Sequence, residues 1–324
     1  MNDPLVVEVT RGLTVESIHL VDIALVDSTG KLVEGWGEPS RPTLPRSALK
    51  PIQATPLVTE GVADAENLTT EQLAVACSSH NGESRHVQVV DRWLELMGFS
   101  HAVLECGAHA PSHPQAAQDL VLAGITPDSR HNNCSGKHSG FLTLGEHLGG
   151  GPEYHMVDHP VQEAVLNTFE ELTCETSPGY GIDGCSAPNW ACTISGLARA
   201  MARCSGNGSD ILSLASVRLR EAMMAHPELI AGETRACTEL MRAAPGVALK
   251  TGAEAVFTAI IPSKKLGIAI KVEDGAFRAS EALITALLVK MGFLNDQHPS
   301  ALRRLGPIYN WDGLQTGHIE VTLV

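Results

Sequence analysis

The sequence predicts an α+β protein: one antiparallel sheet packed with helices, plus a helical region. Three observations carry that reading. β-branched, strand-like runs open and close the chain of 324 residues, helical periodicities are massed between them, and there is no strict strand–helix alternation of the kind a doubly wound sheet needs. Chain ends that meet in one antiparallel sheet, against a helical region, satisfy this order.

Residues 5–36 give two or three antiparallel strands, with Asp27-Ser28-Thr29-Gly30 as a turn. Stretches 46–60 and 70–78 are predicted helical, the second started by Thr69 or Thr70. Ser84 is placed as the cap of a longer helix to Met97, with Val87, Val90, Leu94 and Met97 at helical spacing. His113-Pro114 opens a helix to about Leu122, and the Gly- and Ser-rich stretch Asn132–Gly140 is predicted to be a loop. Further helices are expected near 159–172, 194–204, 210–225 and 279–292. Ala255–Ile261 and Leu266–Val272 are strands around the turn Pro262-Ser263-Lys264, and Ile319–Val324 is a last strand. The run Gly149-Gly150-Gly151-Pro152 is the one candidate lobe break; a surface turn inside a single domain over residues 1–324 is preferred.

Composition excludes several function classes. Apolar residues at 44% fit a folded globular chain. A formal net charge of -14, with no basic run, argues against nucleic acid and anionic membrane as partners. The opening MNDPLVVEVTRG has no basic segment followed by an apolar core, so a signal peptide is not expected, and no apolar stretch is long enough to span a bilayer. A cytoplasmic location follows as the expectation. The eight cysteines are then expected as thiols, and no CxxC pair occurs.

Three short motifs could carry chemistry. Ser47-Ala48-Leu49-Lys50 is an S-x-x-K, which on a helical turn puts the hydroxyl and amine on one face, so that a neutral Lys50 can take the Ser47 proton. Pro51 forces the helix to start close to Ser47, near backbone N–H groups able to hold an oxyanion. Ser79-His80-Asn81 is an S-x-N, and Lys250-Thr251-Gly252 is a K-T-G just before a strand. Each alone is chance-level, but the order S-x-x-K, S-x-N, K-T-G is that of β-lactamases and penicillin-binding proteins. The gap of about 30 residues from Ser47 to Ser79 is short for a true β-lactamase. Lys50 and Lys250 in one site would depress each other's pKa.

Two Gly-bearing segments add further polar groups: Asn132–Gly140, with Cys134, Lys137 and His138, and Gly181–Ser186, with Asp183 and Cys185. From spacing alone they admit a shared zinc, a Cys134-centred nucleophile, or simply buried thiols and a solvated Lys137.

The segments RSALKP (46–51), CSSHNGE (77–83), HNNCSGKHSG (131–140), YGIDGCSAPN (180–189), RACTELM (235–241) and LKTGAE (249–254) resemble the rhizobial-type (class 3) L-asparaginases, in order across about 200 residues. The resemblance implies a fold similar to serine β-lactamases and glutaminases. It implies Ser47 as nucleophile with Lys50 as base, Ser79 and Lys250 as a second pair, and Arg46, His80 and Asp183 beside the substrate. It also implies Zn2+ on Cys134, Lys137 and Cys185 with solvent completing the shell. Ala255 stands where that family leads one to expect Gly.

The function expected is hydrolysis of L-asparagine to L-aspartate and ammonia through a serine ester, by a chain expected to be a homodimer, the default for a cytosolic enzyme. Two rivals remain at this stage: a β-lactam- or peptide-processing enzyme of the same fold, separable with nitrocefin, and a non-catalytic zinc- or thiol-dependent regulatory protein.

Overall fold

The structure is a computed structural model and describes residues 2–323. Strands β1 (Leu5–Arg11), β2 (Thr14–Asp27) and β3 (Leu32–Trp36) follow one another at the start of the chain. Two small pairs come next in sequence: β4 (Pro42–Thr43) with β7 (Cys192–Thr193), and β5 (Tyr180–Ile182) with β6 (Pro188–Trp190). Strands β8 (Ala248–Thr251), β9 (Val256–Ile261), β10 (Leu266–Val272), β11 (Pro307–Tyr309) and β12 (Gln315–Thr322) complete the set. The main sheet has the order β11-β12-β1-β2-β10-β9-β8, with β3 also on β2.

Every pairing in that sheet is antiparallel. The chain ends do meet: Val6 faces Thr322 and Val9 faces Ile319. Residues 21–26 of β2 and all of β9 are buried without alternation. Unbroken burial means that both faces of the sheet are covered there. The helices Ile194–Cys204 and Phe277–Lys290 both pack on β9 and β10. Contact with the first is close enough to require glycine, since a Cβ at Gly267 would stand 2.2 Å from the Ala198 carbonyl oxygen. The predicted α+β architecture, a sheet packed with helices plus a helical region, is the observed one.

Three local expectations are corrected and one is extended. Glu83, not Ser84, is the N-cap residue of the helix Ser84–Leu96, where its side chain and that of His86 form a reciprocal cap. Stretch 46–60 is not one helix but a 3-10 turn, Arg46–Leu49, followed by short helices Lys50–Ala54 and Pro56–Thr59, because Pro51 and Pro56 each reset the backbone hydrogen-bonding. Lys250 and Thr251 do precede a strand, β9, but also lie within one of their own, β8. The largest miss is Asn132–Gly140, which is mostly the start of a long buried helix, Ser135–His147. Its small residues are not loop signals but let it lie against backbone: a Cβ on Gly136 would stand 2.2 Å from the Val75 carbonyl oxygen in the helix Thr70–Ala76.

Candidate active site

Edge strand β8 meets the helical region, and the motifs converge there. Gly252 lies so close to the 3-10 turn that a Cβ would stand 2.5 Å from the Pro45 carbonyl oxygen and 2.9 Å from the Ala48 nitrogen. That approach sets β8 against the 3-10 turn that carries Ser47. Ser79 follows the helix Thr70–Ala76, and its loop is pinned by Ser79 N–H to Ile230 O (2.8 Å) and Asn81 N–H to Ala231 O (2.9 Å).

Both predicted lysines are buried and neither has a carboxylate partner. Lys250 Nζ bonds Ser79 Oγ at 2.8 Å and the Thr251 carbonyl at 2.8 Å. Its pKa is lowered to about 7, first by burial and then by the positive charge of Lys50. The two amines thus share one site. Lys50 Nζ, however, donates to the Ser78 carbonyl and to that of Asn133 (3.1 Å), not to Ser47. Ser47 is half-buried on the 3-10 turn. The helical-turn argument brought Ser47 and Lys50 onto neighbouring positions, but the direct serine–lysine bond of this structure belongs to Ser79 and Lys250. Thr251 adds a signal that the sequence did not single out: its hydroxyl is buried without a hydrogen-bond partner.

Arg46 and Asp183 pair with each other. Arg46 Nε and Nη2 reach Asp183 Oδ1 at 3.0 and 2.8 Å, and both side chains keep some exposure. His80 is buried, with both ring nitrogens engaged inside the protein. Gly82 N–H donates to Nδ1 (3.1 Å), so the ring proton sits on Nε2 and is donated to Ser135 Oγ (2.9 Å), which in turn donates to the Arg130 carbonyl. Burial, with the neighbouring His86 and Lys50, holds the imidazole well below its ordinary pKa, so it stays neutral.

The zinc-ligand candidates also come together. Cys134 caps the helix Ser135–His147 and Lys137 lies one turn on, so both project on one face; Cys185 arrives from the β5–β6 hairpin. Lys137 Nζ is 3.0 Å from Cys185 Sγ. The neighbouring Cys134 and the Lys137 charge push the Cys185 thiol well below the usual range, while Cys185 and burial push Cys134 up. Burial works against the Lys137 charge, but the two sulfurs outweigh it and its pKa is raised. Nearby, His138 Nε2 is buried with no partner, and burial holds that ring at about 4. Among the described residues no three His, Cys, Asp or Glu side chains are arranged to hold a metal. The trio of two sulfurs and an amine does fit a zinc by donor chemistry, provided that Lys137 gives up its proton.

Taken together, the fold and site put a buried, hydrogen-bonded serine–lysine pair where an antiparallel sheet meets a helical region. The profile of the L-asparaginase II family matches residues 7–321. The chain belongs to that family. No curated protein matches it. Among solved structures it is similar to Mglu in its native form, at 16% identity and a TM-score of 0.50 over 87% of this chain and 66% of that one. Mglu in its tris and glutamate form gives 15% identity and a TM-score of 0.52 over 85% and 59% of the two chains. A third Mglu structure gives 15% identity and a TM-score of 0.51 over 85% and 67%. This chain therefore spans between 59% and 67% of the length of those chains. At such identity the likeness is one of fold, and that fold is the β-lactamase/glutaminase-like one the sequence predicted.

Proposed function

We propose that the protein hydrolyses L-asparagine to L-aspartate and ammonia through a serine ester. The observation that carries this reading is the buried Lys250 amine, lowered to about 7, bonded to Ser79 and within the field of Lys50. A lysine so placed is neutral in a large fraction of molecules near neutral pH and can accept a hydroxyl proton. Ser47 Oγ attacks the side-chain amide carbon as Lys50 takes its proton, and that proton passes to the neutral Lys250 amine and through Ser79 to the leaving nitrogen. Ammonia departs and water then cleaves the ester. Arg46 and Asp183 have charges complementary to the carboxylate and ammonium of a free amino acid. His80, neutral and tied on both sides, positions Ser135 and the loop beside Ser79.

Cys134, Lys137 and Cys185 would hold the zinc, which when bound supplies a fixed positive charge that orients substrate polar groups. A homodimer in the cytoplasm and a single domain complete the proposal. Glutamine is the second reading of the substrate, favoured by the glutamate form in which Mglu has been solved. Ammonia release from asparagine, glutamine and simple amides decides between them. Release from none of these overturns the proposal, and hydrolysis of nitrocefin would move it to β-lactam chemistry. Zinc is checked by elemental analysis of protein prepared without chelator, and its absence removes the metal from the scheme.

A further inference from the structure

Arg46, the residue directly before Ser47, has a left-handed backbone, with φ of 52°. Side chains other than glycine rarely adopt that conformation without help. The help is visible. Asn189, buried on β6, spans both sides of the Arg46 peptide: Arg46 N–H donates to Asn189 Oδ1 (2.9 Å) and Asn189 Nδ2 donates to the Arg46 carbonyl (3.2 Å). The same hairpin supplies Asp183 to the Arg46 guanidinium. One small β-hairpin therefore grips a single residue by backbone and side chain at once, next to the candidate nucleophile.

We infer that Asn189 is a positioning residue whose carboxamide holds Arg46 in its left-handed turn and so aims the Ser47 hydroxyl and the Arg46 guanidinium into the site. Asn189 touches neither substrate nor reacting atoms in this scheme. It acts through the backbone of Arg46, and the inference rests on the reading of Ser47 as nucleophile.

Left-handed backbone is natural for glycine, so the assignment predicts a specific non-additivity. The experiment follows covalent labelling of Ser47 by an arylsulfonyl fluoride, read by intact mass and peptide mapping. In this step Ser47 Oγ forms the bond to sulfur, fluoride leaves, and the hydroxyl proton passes to the neighbouring lysine. Asn189→Ala should slow labelling at least tenfold relative to the otherwise unaltered protein. Made on top of Arg46→Gly, the same substitution should slow it less than threefold. Asn189→Asp, isosteric, keeps one acceptor but sets a second against the Arg46 carbonyl, and should also slow labelling. Equal labelling in the parent and Asn189→Ala, the same loss in both backgrounds, or a parent protein not labelled at Ser47 would each overturn the assignment. Ammonia release in the same preparations keeps the two ideas apart. Coupled labelling without ammonia from any amide removes the amidohydrolase reading and leaves Asn189 in place. Ammonia release with no Asn189 effect does the reverse.

Discussion

Lys250 sets the pH behaviour at the level of single residues. Its pKa is lowered to about 7 in the fold, from an ordinary value of 10.5. In the proposed reaction the neutral amine is the competent form, so turnover should rise with pH through about 7, and the acid limb of kcat/KM should vanish in Lys250→Met along with activity. A limb that persists in active Lys250→Met would remove Lys250 from the scheme. Stability carries the matching sign. Below pH 7 both folded and unfolded chains protonate Lys250, and the burial penalty is complete. Between about 7 and 10.5 the unfolded chain holds the extra proton, so stability rises with pH. Lys250→Met should therefore fold more tightly at pH 7 or below, by on the order of a few kcal/mol, and a lowered melting temperature would contradict this. Ser47→Ala gives the companion test. If it keeps more than about a tenth of kcat, the loss is only about 1.4 kcal/mol, too small for a covalent nucleophile.

At this same scale the sequence was informative about which residue types matter and less so about which of them touch. Ser79 and Lys250 are far apart in the chain yet bonded, a consequence of where β8 ends, which no spacing reveals. Ser47 and Lys50 are three residues apart yet not bonded, because the Lys50 amine finds two carbonyls instead. Asn189 sits inside a recognised motif, but its task depends on the φ of a residue in another segment.

Among the elements, the helix Ser135–His147 shows why polarity misled. Its hydrophobic pattern is weak because every position over residues 135–145 is buried, with Gly136 against backbone and Gly140 and Gly145 against side chains. Gly136→Ala should therefore do more than a usual helix substitution. The added methyl gains helix propensity but collides with Val75, and the net cost should be on the order of 1–3 kcal/mol, read by chemical denaturation. An unchanged or raised stability would show that the helix can shift, and would loosen the placement of Cys134 and Lys137. The β8–β9 turn makes the opposite case. Glu254 and Ala255 are both left-handed, at φ of 55° and 54°. Ala255→Gly should relieve strain and stabilise by up to about 1 kcal/mol, whereas a loss would mean that the buried methyl matters more to packing than the backbone does.

Across the whole molecule, the long strand β2 is the organiser. Its first half pairs with β1 and its second half with β10 and β3, so it ties the start of the chain to the part that carries Lys250. Strong strand periodicity at both ends made this legible in the sequence. The order of the middle strands was not, since β8 is only four residues long and has no alternation to read. Net charge of -14 bears on kinetics as well. A substrate without net charge gains nothing from long-range steering, so kcat/KM for asparagine should vary less than about twofold with salt. A steep salt dependence would point instead to a cationic substrate. Among the described residues no helix is long and apolar enough to cross a membrane.

The pairing of Val6 with Thr322 makes the chain path very nearly a ring. A ring has no privileged opening. If residues 6 and 322 were joined by a short linker and the chain cut instead in the glycine run at 149–151, each strand would keep its neighbours and every site residue its place. The native order carries a kinetic burden that such a permuted chain would redistribute. On the ribosome β1 waits for β12, synthesised some 300 residues later, before that side of the sheet can close. Until then an unpaired strand edge is open to other chains, and dependence on chaperones during synthesis is the expected signature of this topology.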